Sequence, residues 1–463
     1  MKIRLLLLRK KCRIEDRIVK QSQNDLSERG VKLPESRFIK RDVSKYLDFY
    51  FSQNIKRGLI LSGVVGCGKT TVVQDFLTRR NRDEHTIILT CDDTKLRAEV
   101  AADSKFIYNM IRNQTSKPVF LFIDEVQKSE DVFDAIKFAY DHLSLNFIVS
   151  GSNPDYLNTV AKKRLQRRAE FLMMMPFSLS EILCFENHLS EDVTTVFKRI
   201  FLDLKLPDEI PTISLTHSIE ESCKKYFDFG GTPRAYLVED VQQKMIEVKQ
   251  VVERGFEALS FGNSSYLDQI TVDLANLHSK EFTYQGIFQK TGLRRRENIN
   301  HKIDQLLNHG YLLKKKPKIL VDDRSTYISS YSFIDPGFVT YLTGEFSDEV
   351  NQGYRAEGLV FSSLRYFQQM LSFKSEISYY KPYTIDSSSK LKFLQGEIDF
   401  IFTLGRKQIP IEVKAGSKSS SFNLNLMKNF MQLTKAPFGI VLYQGAPFFA
   451  KKESILFWPY WAI

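Results

Sequence analysis

The chain has 463 residues, 43% hydrophobic and 26% charged, with a formal net charge of +11. That length exceeds one ordinary domain, and the apolar share is enough to fill real cores, so a fibrous or unfolded chain is excluded. The positive excess favours an anionic partner, nucleic acid first. The five cysteines (Cys12, Cys67, Cys91, Cys184 and Cys223) form no CxxC pair. Their odd number and spacing argue against a disulfide framework or a zinc site and fit a reducing compartment. The apolar start Ile3 to Leu8 is too short for a signal peptide and runs into basic residues. No stretch approaches the ~20 apolar residues of a membrane span. The expectation is a cytoplasmic protein without a membrane partner.

Residues 1–35 are charged and polar and read as an N-terminal extension. From there to residue 240, apolar runs alternate with amphipathic segments, the pattern of a parallel sheet with crossover helices. The strand candidates are GLILSG (58–63), TIILTC (86–91), PVFLFID (118–124) and NFIVSG (146–151), and the part beyond residue 176 is mainly helical in pattern.

Residues 63–70, GVVGCGKT, fit G-x-x-x-x-G-K-[ST] between a strand and a helix. Gly63, Gly66 and Gly68 allow a turn closed to other residues, with Val64, Val65 and Cys67 between them. The N–H groups of such a turn converge on phosphate oxygens at a helix N-terminus, where Thr70 and Thr71 begin the helix. Lys69 is placed to reach the β- and γ-phosphates of ATP, and the Thr70 hydroxyl to reach Mg²⁺. Asp124, ending the strand PVFLFID, is the expected second magnesium acid, and Glu125 the group that polarises the attacking water. After NFIVSG, Ser152 or Asn153 is read either as a sensor of the γ-phosphate or as part of a polar loop.

The stretch RDVSKYLDFYF, GLILSGVVGCGKTTV, VFLFIDEVQK, FIVSGSN, RRAEFLMMMPFSLSEI, DFGGTPRAYL resembles the bacterial and archaeal AAA-type ATPases related to the STAND group. The resemblance places Arg168 on the family's arginine, with Arg167 where the family has glycine. It leaves two readings for Arg168: a charge on the γ-phosphate, in cis or in trans, or a structural ion pair. It also puts GGTP (230–233), with Pro233, on an element similar to the one near the nucleotide base in STAND proteins, and Arg234 beside it. Some AAA relatives form rings, so a homo-oligomer is an open expectation.

Residues 241–345 read as a winged helix-turn-helix. FTYQGIFQKTGLRRRENINHKIDQLLNHG (282–310) supplies two helices and a turn; GYLLKKK and STYISSYSFID supply the wing strands. In a DNA-binding version the second helix presents Arg294, Arg295, Arg296, Asn298, Asn300 and Lys302, and the wing adds Lys314, Lys315, Lys316 and Lys318. The alternative is a packing, regulatory or protein-contact module.

Residues 346–463 hold Glu357 on an amphipathic helix, Asp399 in the strand EIDFIF, and Glu412 and Lys414 alternating on IPIEVKA. Strand periodicity puts Glu412 and Lys414 on one face. Two carboxylates crowded at one edge repel unless a cation joins them, and Mg²⁺ held by Asp399, Glu412 and a main-chain carbonyl near Val413 would relieve this. The order resembles the PD-(D/E)XK nuclease superfamily, with Glu357 as the first-helix acid and Gln432 as its later glutamine. That resemblance implies a restriction-endonuclease-like α/β domain, in which Lys414 orients or activates water against a phosphodiester. The expected whole is thus an α/β chain: P-loop core with helical subdomain (36–240), winged helix, nuclease-like domain. Its expected function is ATP hydrolysis controlling a metal-dependent nuclease on nucleic acid, DNA first, in genome defence or repair. The alternative is a STAND-like switch whose nuclease-like domain binds without cutting.

Overall fold

The computed structural model describes residues 39–463, except 54, 81–83, 258–264, 281–295, 319–328, 372, 386–391 and 395. It divides into two compact units: one runs to Met174 and takes in residues 308–310, and the other holds Met175–Leu307 and Tyr311–Ile463.

The first unit is a five-stranded, all-parallel sheet. Its strands are β1 (Gly58–Ser62), β2 (His85–Thr90), β3 (Val119–Asp124), β4 (Leu145–Gly151) and β5 (Ala169–Met173), in the order β2-β3-β4-β1-β5. Every residue of β1 and β3 is buried, as expected when helices cover both faces of a parallel sheet. The helices are α1 (Asp42–Tyr50), α2 (Lys69–Thr78), α3 (Thr94–Ala102), α4 (Phe106–Gln114) and α5 (Asp131–His142). Alternation along β3 sends Leu121 and Ile123 into the core that α3, α4 and α5 complete with Leu96, Met110, Phe133 and Ile136. Phe120 points the other way, its ring 5.0 Å from Phe51 and 5.6 Å from Phe76, and the Arg80 guanidinium lies 4.6 Å over it. The four apolar runs of the sequence are therefore four of the five strands, β1 to β4.

The second unit begins with α6 (Leu179–Phe185), α7 (Glu191–Asp203), α8 (His217–Phe229), α9 (Pro233–Leu237) and α10 (Val241–Glu257). Further along come α11 (Ser265–Asn276), α12 (Arg296–Asn308), α13 (Pro336–Thr343), α14 (Gln352–Met370) and α15 (Asn425–Thr434). Its sheet has eight strands in the order β14-β15-β13-β12-β11-β8-β6-β7. These are β6 (Leu312–Pro317), β7 (Ser330–Phe333), β8 (Ser375–Tyr380), β11 (Ile398–Leu404), β12 (Lys407–Val413), β13 (Gly439–Tyr443), β14 (Phe448–Ala450) and β15 (Ile455–Pro459); β9 (Tyr383–Ile385) and β10 (Lys392–Leu394) form a separate pair.

Two expectations about organisation change here. The helical segment after Met174 was expected to belong with the ATPase core up to residue 240; it clusters instead with the C-terminal unit. The reason is aromatic packing: on α7, Phe201 lies 4.9 Å from Phe402 of β11 and Phe197 lies 5.3 Å from Trp458 of β15. The other concerns the boundary at residue 345. β6 and β7 pair antiparallel, but β6 also pairs in parallel with β8, Lys316 opposite Ser378, so both wing strands extend the C-terminal sheet. Among the described residues no helix is long and apolar enough to cross a membrane.

The glycine pair of GGTP is a packing device within this second unit. Gly230 has φ +75°, and a Cβ there would sit 1.6 Å from an Asp335 carboxylate oxygen. The Gly231 and Gly337 N–H groups each donate to buried Asp335 at 2.8 Å, and the Phe177 N–H donates to the Gly231 carbonyl at 2.7 Å. Only glycine lets two backbones and a carboxylate approach so closely. Pro233 simply opens α9 at its first turn. Upstream, the Ser-Leu-Ser-Glu run is a capping box: Ser178 and Glu181 each accept the other's backbone N–H at the start of α6.

Candidate functional sites

The phosphate loop lies between β1 and α2. Gly66 and Gly68 have φ of 77° and 93°, the left-handed region that this turn requires. Gly63 is pinned by close approach, since a Cβ there would lie 2.5 Å from the Met174 carbonyl oxygen. Lys69 is buried, and its ammonium donates to the Gly63 and Val64 carbonyls at 2.9 and 3.1 Å. The Thr70 hydroxyl donates to Asp124 Oδ2 at 2.7 Å, and Ser150 donates to the other Asp124 oxygen. Val64 and Cys67 are buried, Val65 is half-buried, and Thr71 is exposed on the first turn of α2. An N-terminal helix turn with its N–H groups free of helical partners, a lysine and a hydroxyl–carboxylate pair is a donor set that fits a nucleoside triphosphate and Mg²⁺.

Glu125 follows Asp124 at φ 54°, so the chain turns sharply out of β3. Its carboxylate accepts from Gln127 Nε2 at 2.6 Å. Burial, then the neighbouring Asp124, raises its pKa above the ordinary carboxylate value. Gly151 leaves the space for Gln127: a Cβ there would sit 2.1 Å from the Gln127 amide oxygen. Ser152 lies just beyond β4, and Asn153 caps the helical turn that follows by accepting the Tyr156 N–H. Three residues of this neighbourhood escaped the sequence reading: Ser150, Gln127 and Arg41. Arg41 is buried and donates to the Cys67 carbonyl of the loop at 3.2 Å. A serine inside an apolar strand, one strand over from the acid, was the available signal for Ser150; Arg41, ahead of β1, offers none.

Within its own chain Arg168 forms an ion pair and stands away from the phosphate loop. Its guanidinium makes two hydrogen bonds to Asp141, at 2.7 and 2.8 Å, which hold the Asp141 carboxyl below its usual range. Ala169, the next residue, pairs with Gly58 at the start of β1, whereas the loop leaves the other end, at Ser62. Arg168 therefore stands a strand length, roughly 15 Å, from the phosphate loop and is corrected as a cis charge on a γ-phosphate.

In the second unit, Phe400 pairs with Ile411, which sets Asp399 beside Glu412 across the β11–β12 hairpin. The Val413 N–H donates to Asp399 at 2.7 Å, and the Lys414 ammonium donates to Glu412 at 2.5 Å. Glu357, on α14, reaches the same cluster and ion-pairs with Lys315 at 3.6 Å. All three acids are raised above their ordinary pKa: burial is the largest cause for each, and Asp399 is the next for both Glu357 and Glu412. Burial works against the Lys414 ammonium, but Glu412, Asp399 and Glu357 outweigh it. Among the described residues no three His, Cys, Asp or Glu side chains form a metal cage. The hairpin brings two carboxylates together, Asp399 and Glu412, and one or two carboxylates completed by main-chain and water oxygens is the donor set that Mg²⁺ takes in general. Gln432 lies exposed on α15.

The basic residues of the middle segment separate. Arg294 and Arg295 lie outside the described residues, as does the Arg296 side chain at the start of α12. Lys314 and Lys316 are exposed on β6, as strand alternation requires. Lys302 and Lys315, expected on a solvent face, are buried. Lys302 lies 5.8 Å from the Phe256 ring, and Lys315 turns inward to Glu357. Both are corrected: neither is on a surface a phosphate backbone can reach.

Residues 56–183 match the family described as the AAA domain. The N-terminal unit carries a P-loop core of the AAA type. Residues 352–463 match a domain of unknown function, DUF4143. No curated protein matches the chain. Among solved structures, the Walker-type ATPase PABY2304 of Pyrococcus abyssi is similar at 17% identity, over 67% of this chain and 98% of its own, with a TM-score of 0.43. The Orc1 protein of Aeropyrum pernix in complex with DNA is similar at 12% identity, over 73% and 95%, with a TM-score of 0.28. Cdc6p of Pyrobaculum aerophilum is similar at 12% identity, over 68% and 96%, with a TM-score of 0.27.

Proposed function

We propose that this protein binds and hydrolyses ATP and uses that cycle to control a metal-dependent phosphodiester-cleaving site on its C-terminal sheet. The observation that carries the ATP half is the Thr70–Asp124 pair beside buried Lys69, with Glu125 next in the chain. The loop N–H groups and Lys69 bind the phosphates; Thr70 with Asp124 would hold Mg²⁺, which would supply charge neutralisation at the phosphoryl oxygens. Glu125, held by Gln127 and raised in pKa, takes the proton of the attacking water.

Support for the second half is the convergence of Asp399, Glu412, Glu357 and Lys414 at one end of a hairpin. Asp399 and Glu412 would hold the cation, which would supply Lewis-acid polarisation of a phosphodiester. Lys414 orients water there. Exposed Lys314 and Lys316, on the winged-helix-like segment, contact the nucleic-acid backbone. A specific observation favours the switch reading as its rival: Lys414 and Lys315 already neutralise Glu412 and Glu357, an arrangement that also suits a domain that binds without cutting.

The ATP half is tested with phosphate release and nucleotide binding on the full chain. Lys69→Ala loses ATP binding; Glu125→Gln keeps binding and slows release by about 10²–10⁴-fold, the range of general-base catalysis. Unchanged release in Glu125→Gln would remove Glu125 from that role.

A further inference from the structure

Lys315 has no place in the nuclease-like reading, yet it is the most confined cation at the acid cluster. It is 3% exposed, so its charge has little contact with solvent. Its ammonium lies 4.6 Å over the Phe400 ring and 5.6 Å from the Tyr379 ring. The head lies 3.6 Å from Glu357, and its field reaches Asp399. It arrives from β6, a strand that joins this sheet only through β8. Three carboxylates gathered in a largely buried space are unfavourable without compensating charge. Lys414 serves Glu412, and the Val413 N–H serves Asp399. Lys315 serves Glu357.

We propose that Lys315 is the resident counter-cation of the Glu357–Asp399–Glu412 cluster and competes with a divalent ion for it. This rests on the metal-dependent reading of that cluster. The Lys315 ammonium, paired with Glu357 and close enough for its charge to act on Asp399, would repel a divalent cation held by Asp399 and Glu412, so each weakens the other's hold. A purely structural ion pair makes the opposite forecast: removing it frees Glu357 from its partner, loosens α14 and weakens cation binding.

The test is Mn²⁺ titration of the nucleotide-free full chain, read by the electron-paramagnetic-resonance signal of free Mn²⁺. Lys315→Met and Lys315→Gln are compared with wild type and Lys315→Arg, each with and without Asp399→Asn. Melting curves accompany every variant. Lys315→Met and Lys315→Gln should each tighten one Mn²⁺ site at least tenfold, Lys315→Arg should match wild type, and Asp399→Asn should abolish the tightening. If Lys315→Met does not fold, Lys315→Gln decides. Unchanged or weaker binding in the neutral variants, with Asp399→Asn still removing a wild-type site, overturns the proposal and leaves the metal reading standing. Loss of no site on Asp399→Asn in any background overturns both.

Discussion

His278 gives the sharpest pH prediction, because its geometry disfavours a second ring proton. The Phe333 N–H donates to His278 Nδ1 at 3.1 Å, so that nitrogen must be unprotonated in the fold. The other ring nitrogen faces Gly358, where a Cβ would sit 2.2 Å away. Gly358 is the residue after Glu357, so the imidazole seats the helix that carries an acid of the candidate site. Burial, then Arg355 and Lys280, lowers the His278 pKa to about 3. With an unfolded value near 6.5, the unfolded chain binds the extra proton between these limits. Stability is therefore fully present above about pH 6.5 and is lost as pH falls towards 3. Linkage gives a loss of about 2 kcal/mol by pH 5 and about 4 by pH 3 from this group alone. Trp458 and Trp461 are the chain's two tryptophans, both buried in this unit, so their fluorescence during urea unfolding reports on it. Other acids also titrate, so the decisive quantity is a difference: His278→Asn keeps an acceptor for Phe333 and removes the titration. Its stability should fall less steeply than that of wild type between pH 6.5 and 5. Parallel curves would refute the neutral-imidazole account.

Other expectations are as direct. Arg168→Ala should leave ATP turnover unchanged and cost no more than about 1 kcal/mol, as for a largely surface ion pair; a large loss of turnover would restore a phosphate role. Phe402→Ala opens a cavity under α7 and should destabilise the second unit by about 3–5 kcal/mol in the same fluorescence assay; a change below about 1 kcal/mol would contradict the packing that ties α7 to this sheet. Charge reversal at Lys314 and Lys316 should weaken DNA binding and flatten its salt dependence by roughly one unit of log–log slope per lysine removed. An unchanged slope would assign β6 to protein contact.

Local patterns were legible and long-range ones were not. The phosphate loop, Asp124 and the strands β1 to β4 could be read because glycine spacing, apolar runs and strand ends are all short-range signals. Asp399, Glu412 and Lys414 were legible for a similar reason, since a hairpin brings neighbours in sequence together. Lys315 was misread because KKK (314–316) is exposed-looking on composition. Only the pairing of β6 with β8, some sixty residues away, decides which face is covered. With that face covered, alternation from buried Leu313 turns Lys315 inward. GGTP was read towards a nucleotide, but its glycines answer Asp335, about a hundred residues on. The boundary at Met174 depends on Phe197 and Phe201 meeting Trp458 and Phe402, contacts that no window of sequence displays.

The measurement that bears most directly on the account is cleavage of plasmid and single-stranded DNA by the full chain with Mg²⁺ or Mn²⁺, with and without ATP. The account predicts cleavage that Asp399→Asn abolishes and that Lys69→Ala uncouples from ATP. Intact substrates under every condition, or cleavage that Asp399→Asn leaves unchanged, would contradict it.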